Sequence, residues 1–280
     1  MSILKFTNKI EKTNPIKCKV CGHEAFLFDV VDFNKFCNKE NYYSDGLIGI
    51  PIYYRKCSIC NLIFSNDFDD FSLNDFVKII YNNDYIKYDP EYLEKRPFEN
   101  AVFLESFLSP IKQFVKGLDY GGGNGLTASI LNRNGWNFTY CDPISHPVSN
   151  SKFFSNFNTI SSIEVFEHIP FPDKGMEEML DYASNDCLLI IGTLINNKQL
   201  NRNNLDWWYA SPRNGHITLF SKESLRFLFE KYGFSYFMLN DHMHIGIRGS
   251  HPITNFFDIQ NNNSYFNKAS RFKTFLKKWL

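Results

Sequence analysis

Four cysteines in two close pairs carry the plainest chemistry in this chain: Cys18-Lys19-Val20-Cys21 and Cys57-Ser58-Ile59-Cys60. A CxxC step puts two thiolates on one tight turn, and two such turns complete a tetrahedral S₄ shell for Zn²⁺. Gly22 directly after the first pair suits the turn. A closed four-cysteine site is structural, and metal binding then supplies folding energy to a segment with too little core of its own. The stretch between the pairs exceeds the usual spacing, so it must form an excursion of its own. Cys37 lies in that excursion and stands as an alternative ligand. A redox role fits less well, because the pairs flank β-like runs instead of opening helices.

The second constellation is Leu118-Asp119-Tyr120-Gly121-Gly122-Gly123-Asn124-Gly125-Leu126. An acidic residue ends an apolar run, glycines crowd the next positions, and a helix pattern starts at Leu126. Strand, glycine turn and helix form the first unit of a doubly wound α/β fold, which binds ligands at the carboxyl ends of its strands. Glycine tolerates φ > 0 there and lets the backbone approach a ligand. Two cofactors remain open at this point. The run Gly123 to Ala128, with Asp142 downstream, fits a permissive dinucleotide fingerprint. S-adenosylmethionine (SAM) fits as well. Asp119 can fix the loop or meet that cofactor's amino-acid end, and Asp142, followed by Pro143, can accept hydrogen bonds from both ribose hydroxyls.

A third group follows in Ile163-Glu164-Val165-Phe166-Glu167-His168-Ile169-Pro170, with His216 further on. Two carboxylates and two imidazoles make an oxygen/nitrogen donor set for a divalent ion. His168 or His216 could equally serve as an unassisted general base, since the ordinary imidazole pKa is about 6.5. Catalysis by positioning alone is the third reading. His23, His146, His242, His244 and His251 lack comparable context.

The glycine loop, the ribose acid and the EVxEHxP strand end, in this order, resemble class I SAM-dependent methyltransferases over roughly Asp84 to Gly249. The resemblance implies a Rossmann-like α/β sheet and SAM as cofactor. It implies Asp119, Tyr120, Gly121, Gly122, Gly123, Gly125, Asp142 and Pro143 as cofactor-binding residues, with Tyr85 as a lid over the cofactor. Glu164, Glu167, His168 and His216 become the catalytic candidates. ExxEH with a later histidine is similar to metal-assisted O-methyltransferases acting on small-RNA 3′ ends and in ubiquinone biosynthesis, where the ion holds the acceptor hydroxyls. In the N-terminal part, Val31-Asp32-Phe33 and Pro51-Ile52-Tyr53-Tyr54-Arg55 resemble the zinc-binding module of sugar methyltransferases from surface-glycan and antibiotic-sugar pathways. That likeness implies O-methylation of a small sugar or sugar-linked acceptor in capsule or lipopolysaccharide biosynthesis. The chain departs from the family between Asp142 and Asn158, which is too short for a clear third strand and adenine contact.

The whole chain bounds these readings. Its 280 residues suit a zinc ribbon with linker over 1–75, a methyltransferase domain over 76–250 and a basic, helical tail over 251–280. Formal net charge is +0, which gives no field to draw in nucleic acid. An RNA methyltransferase using the ribbon as a grip is therefore the weaker alternative, beside a non-catalytic binding protein with a vestigial cofactor fold. Without a signal peptide or a membrane span, the expected place is the cytoplasm.

The elements that must position these residues are readable in outline. Short strands flank the knuckles, and Phe76 to Tyr81 is a short helix. A helix from Glu91 towards Leu108 must kink or split at Pro97. Strands are expected at Trp136–Cys141, Asn158–Phe166 and Cys187–Ile195, and a hairpin over Phe234–Leu239 and His244–Arg248. Trp207-Trp208-Tyr209 reads as the roof of a substrate pocket.

Overall fold

A computed structural model describes residues 14–146, 156–195 and 205–256. The expected polar stretch before the fourth strand, the start of the aromatic loop and the basic tail fall wholly or largely outside these residues. The described strands form two sheets. The smaller is antiparallel and begins with β1 (Ile16–Lys17), β2 (Glu24–Asp32), β3 (Pro51–Cys57) and β4 (Ile63–Ser65). After it come α1 (Leu73–Ile79), α2 (Tyr85–Tyr88) and α3 (Lys95–Leu108). Ser72 and Asp75 cap α1 reciprocally, which fixes where it starts. Pro97 does not kink α3, contrary to the expectation above. The helix begins at Lys95, so Pro97 lies in the first turn, where its missing N–H has no intrahelical partner to lose.

The larger sheet contains β5 (Gly117–Tyr120), β6 (Phe138–Cys141), β7 (Phe157–Ile163) and β8 (Ala183–Gly192), all parallel. Helices α4 (Leu126–Arg133) and α5 (Pro172–Leu180) make the crossovers. In β8, Cys187 to Gly192 are all buried, as a strand covered on both faces requires. Later come β9 (Thr218–Leu219), α6 (Lys222–Lys231), β10 (Ser235–Met238) and β11 (Met243–Arg248). β10 and β11 form the expected hairpin, and β11 pairs antiparallel with β8. The strand order is β10-β11-β8-β7-β5-β6, a methyltransferase-type Rossmann-like sheet in which β6 is the edge among the described residues.

β9 belongs to the other sheet. It pairs with β4 through Ile63↔Leu219 and Phe64↔Thr218, so the cysteine-bearing sheet takes its last strand from the C-terminal half. The two parts share more than this pairing. Lys35 Nζ is buried and donates to the carbonyls of Leu205 (2.6 Å) and Trp207 (3.0 Å). Burial pulls its pKa down to about 8, with Asp206 and Asp29 opposing. Ser221 caps α6 through the Ser224 N–H and donates its hydroxyl proton to the Cys60 carbonyl at 2.5 Å.

Trp207 and Tyr209 are core residues, not an open roof. Both are buried in a cluster with Val31, Ile52 and Tyr54 of the small sheet, and Trp208 packs against its margin. Each buried aromatic removes a large apolar area from water, and together they glue the loop to that sheet.

Ser221→Ala removes a helix cap and a bond to the second knuckle together. The metal-loaded variant should lose about 1–2 kcal/mol in urea unfolding. An unchanged midpoint would show that neither bond stabilises the fold.

Candidate active site and cysteine cluster

The four expected cysteines converge. One sulfur from each of Cys18, Cys21, Cys57 and Cys60 lies within 4.8 Å of the others. Cys18 and Cys60 are 3.6 Å apart, and Cys21 and Cys57 3.4 Å. All are free thiols, and Cys37 is not among the four. Both knuckles close on a residue with positive φ, Gly22 at +73° and Asn61 at +57°, the latter being one of the few side chains that tolerate it. Backbone N–H groups of Ile59 and Cys60 point at the Cys57 sulfur. The hydrogen bond from Cys60 pulls the Cys18 thiol down, while the same contact and burial push Cys60 up and burial pushes Cys21 up. The donor chemistry fits Zn²⁺.

The glycine loop leads from β5 into α4 and hydrogen-bonds to the end of β6. Gly121 and Gly122 donate their N–H groups to the Cys141 carbonyl. A side chain at Gly122 would meet the Asp119 carboxylate at 2.7 Å. Gly123 has φ +55° and nothing within 4 Å of where a Cβ would be, so its exposed side is open to a ligand. Asp119 is buried and accepts from the Ser161 hydroxyl at 2.9 Å. Burial pushes its pKa up to about 7; Ser161 opposes and the Asp142 charge adds.

Asp142 serves two masters. Its Oδ1 accepts from the N–H groups of Ile144 and Ser145, fixing the turn that begins at Pro143, and its Oδ2 accepts from Gly123 N–H at 3.2 Å. Oδ2 therefore keeps a lone pair facing the loop. Tyr120 sends its side chain the other way, into the core beside Glu178 on α5. Tyr85 is buried, its hydroxyl reaching Asp89 at 3.2 Å and the Asn214 carbonyl at 3.4 Å. From the segment before β5, the Leu93 carbonyl accepts from Asn124 of the loop and the Pro97 carbonyl accepts from Thr127 at the start of α4. A surface cavity of about 570 Å³ beside α4 and β6 touches this loop only at Gly125 and lies apart from the groups below.

Glu167, His168 and His216 come together, one donor atom of each within 4.8 Å of the others. Glu167 is fully buried. Its Oε1 accepts from the Tyr209 hydroxyl at 2.6 Å, while Oε2 has no hydrogen-bond partner among the described residues. Burial and the nearby Glu164 charge raise its pKa well above the ordinary range. His168 Nδ1 is likewise buried without a partner. His216 donates Nδ1–H to the Tyr209 carbonyl at 2.8 Å, which leaves Nε2 with its lone pair. Burial holds both imidazoles neutral, His168 down to about 3 and His216 to about 4.

The small sheet places His216. Tyr54 donates its hydroxyl to the His216 carbonyl at 2.7 Å, and Ser65 N–H donates to Ile217 O. The Cys37 sulfur lies 3.7 Å from His216 Nδ1. Tyr209 thus orients two members of the cluster, one through its hydroxyl and one through its backbone.

Glu164 is turned away from that cluster. It sits just past β7 at φ +57°, a conformation a glutamate holds only when its surroundings impose it. Its Oε1 accepts from His242 Nε2, and its Oε2 is 3.8 Å from Arg96 Nη1. Arg96, in the first turn of α3, also pairs with Asp89. The four expected donors for a second ion are therefore three in one cluster and a fourth in a separate ion pair.

The sheet order and the open glycine cradle at its carboxyl edge are those of a methyltransferase. A profile of the methyltransferase domain matches residues 92–237, over half of the chain. The chain belongs to that family. It is a SAM-dependent methyltransferase with a Cys₄ cluster near its N-terminus. No curated protein matches it. Among solved structures it is similar to a plantazolicin methyltransferase in complex with SAH, at 13% identity and TM-score 0.42, covering 60% of this chain and 91% of that one. A 1,6-didemethyltoxoflavin-N1-methyltransferase of Burkholderia thailandensis shows 13% identity and TM-score 0.44, with coverage of 63% and 87%. Magnesium protoporphyrin IX methyltransferase from Synechocystis PCC 6803 shows 11% and 0.41, with 65% and 93%.

His242, Arg96 and Asp89 are neighbours of the candidate site that sequence reasoning missed, and Tyr209, expected in a pocket roof, is instead a buried donor to Glu167. The passed-over His242 had a signal. It lies in the turn of the expected terminal hairpin, and β11 running antiparallel to β8 must bring that turn to the carboxyl edge, where Thr193 N–H meets His242 O.

Burial alone would raise the Glu164 pKa, but the His242 hydrogen bond and the His242 and Arg96 charges hold it down at about 2. A depressed acid stabilises the fold above its unfolded pKa of about 4.3 and loses that contribution as pH falls towards 2. Glu164→Gln should therefore cost about 2–3 kcal/mol at neutral pH, with the deficit shrinking below about pH 4.5. Thermal unfolding of both proteins across pH 3 to 7 reads this, and a deficit independent of pH would contradict it.

Proposed function

We propose that this enzyme transfers the methyl group of SAM to a hydroxyl of a small polar acceptor, a sugar or sugar-linked group used in surface-glycan biosynthesis. The observation that carries the hydroxyl assignment is the trio Glu167, His168 and His216, in which Glu167 and His216 are buried and His168 is partly so. Two of its polar atoms, Glu167 Oε2 and His168 Nδ1, are left without partners. Unsatisfied groups at this depth are costly in an enzyme unless a ligand completes them. The sugar assignment is supported by the likeness of the N-terminal module to that of sugar methyltransferases. An RNA acceptor is disfavoured by the zero net charge.

In this reading Asp119 and the glycine loop hold the amino-acid end of the cofactor, and Asp142 Oδ2 takes a ribose hydroxyl. Bound there, SAM supplies an electrophilic methyl carbon on a sulfonium. Glu167, His168 and His216 hold the acceptor oxygen, either directly or through a divalent ion, for which one carboxylate and two neutral imidazoles are a suitable donor set. Arg96 and Asp89 keep the segment before α3 packed over the strand ends, which excludes water from the transfer. The cysteine cluster holds Zn²⁺, and the small sheet it fixes sets the place of His216. The expected 1–75 and 76–250 units then act as one body, with the reaction in the cytoplasm.

Titration calorimetry with SAM, S-adenosylhomocysteine and NAD should show binding of the two adenosyl ligands only, abolished by Gly123→Asp. NAD binding in their place would overturn the cofactor reading. With tritiated SAM and a panel of nucleotide-linked hexoses, at least one should gain label. His168→Ala and His216→Ala should then lower turnover by about 10²-fold or more while SAM still binds. Near-normal turnover in both would remove the trio from the mechanism. Stripping the cysteine metal with a mercurial should release one zinc per chain and lower turnover with it, because His216 loses its support.

A further inference from the structure

We propose that His242, oriented by Glu164, is the general base that takes the proton from the acceptor hydroxyl. This rests on the hydroxyl reading above and deepens it. His216 is buried and His168 partly so, each packed against aromatic rings. His242 is the more open imidazole. It sits in the β10–β11 turn at the carboxyl edge, its side chain is 38% exposed, and its backbone is pinned by Thr193 N–H and Asn240 Oδ1.

Its ring is oriented as well. Nε2 donates to the Glu164 carboxylate, so that nitrogen carries the hydrogen and Nδ1 carries the lone pair. A carboxylate behind an imidazole fixes its tautomer and stabilises the imidazolium that forms. Glu164 can do this because Arg96 lies at its other oxygen and is itself held by Asp89. The strained backbone at Glu164 is the device that turns its side chain towards the hairpin instead of into the trio. The groups facing His242 are Glu164 from the end of β7, Arg96 from α3 beyond it, Asp241 in its own turn and His244 on β11.

The step balances without another reactant. The acceptor oxygen forms a bond to the methyl carbon as the carbon–sulfur bond breaks, and the electron pair of that bond stays on sulfur. The hydroxyl proton passes to His242 Nδ1, and the exposed imidazolium returns it to solvent after release.

Two measurements test this in the full, metal-loaded chain. Long-range ¹H–¹⁵N spectra of the histidine-labelled protein should show neutral His242 as the Nε2–H tautomer. Glu164→Gln should abolish that tautomer preference. An Nδ1–H tautomer overturns the proposal whether or not an acceptor is known. With a hexose acceptor from the panel, His242→Ala should lower kcat by about 10²-fold or more, leave SAM affinity within about threefold, and regain activity with added imidazole. Turnover within about threefold of the parent would overturn the proposal while leaving the methyltransferase reading intact. Loss of SAM binding by the parent protein would instead overturn the reading beneath it.

Discussion

Glu167 has a fully buried carboxyl group and one hydrogen bond from the protein, given by the Tyr209 hydroxyl. A carboxyl group at that depth is costly unless its oxygens are engaged. The surrounding architecture is what keeps this donor in place. Tyr209 lies in an aromatic loop that packs on the small sheet through Trp207 and Tyr54. Lys35 ties the same loop to that sheet through two backbone carbonyls. The knuckle cysteine Cys57 ends a strand of the same sheet. The sheet that carries the cysteine cluster thus also supports the loop that holds Glu167.

The small sheet is therefore part of the active site's construction. Its last strand, β9, directly follows His216, so the β4–β9 pairing sets the position of that imidazole. Tyr54 and Ser65 bind the backbone at His216 and Ile217, and Cys37 approaches the ring. A methyltransferase sheet alone would leave His216 on an unsupported loop. Here the loop is held by the β4–β9 pairing and by the Tyr54 hydroxyl.

Two kinds of charge management meet at the strand ends. The trio is kept uncharged by burial, which suits it to receive a ligand's polar groups. Glu164 is kept ionised by an imidazole and a guanidinium, which suits it to orient a base. Glu164 takes these partners from a positive-φ backbone just past β7.

The sequence by itself determined what is local. Two CxxC steps, a glycine-dense turn after an acid, and ExxEH after a strand are set by covalent spacing, so the cysteine cluster, the cofactor fold and most of the trio were legible. The helix at Lys222 with its Ser221 cap and the terminal hairpin were legible for the same reason. Only the tertiary structure decided the partners. Tyr209 reaches Glu167, Arg96 reaches Asp89 and Glu164, and His242 reaches Glu164 across separations that no spacing rule encodes. The aromatic triplet was misread because burial depends on what lies opposite, and what lies opposite is a sheet from the other end of the chain. Composition names the groups that can do chemistry; packing and desolvation choose which of them are neutral, charged or free to act.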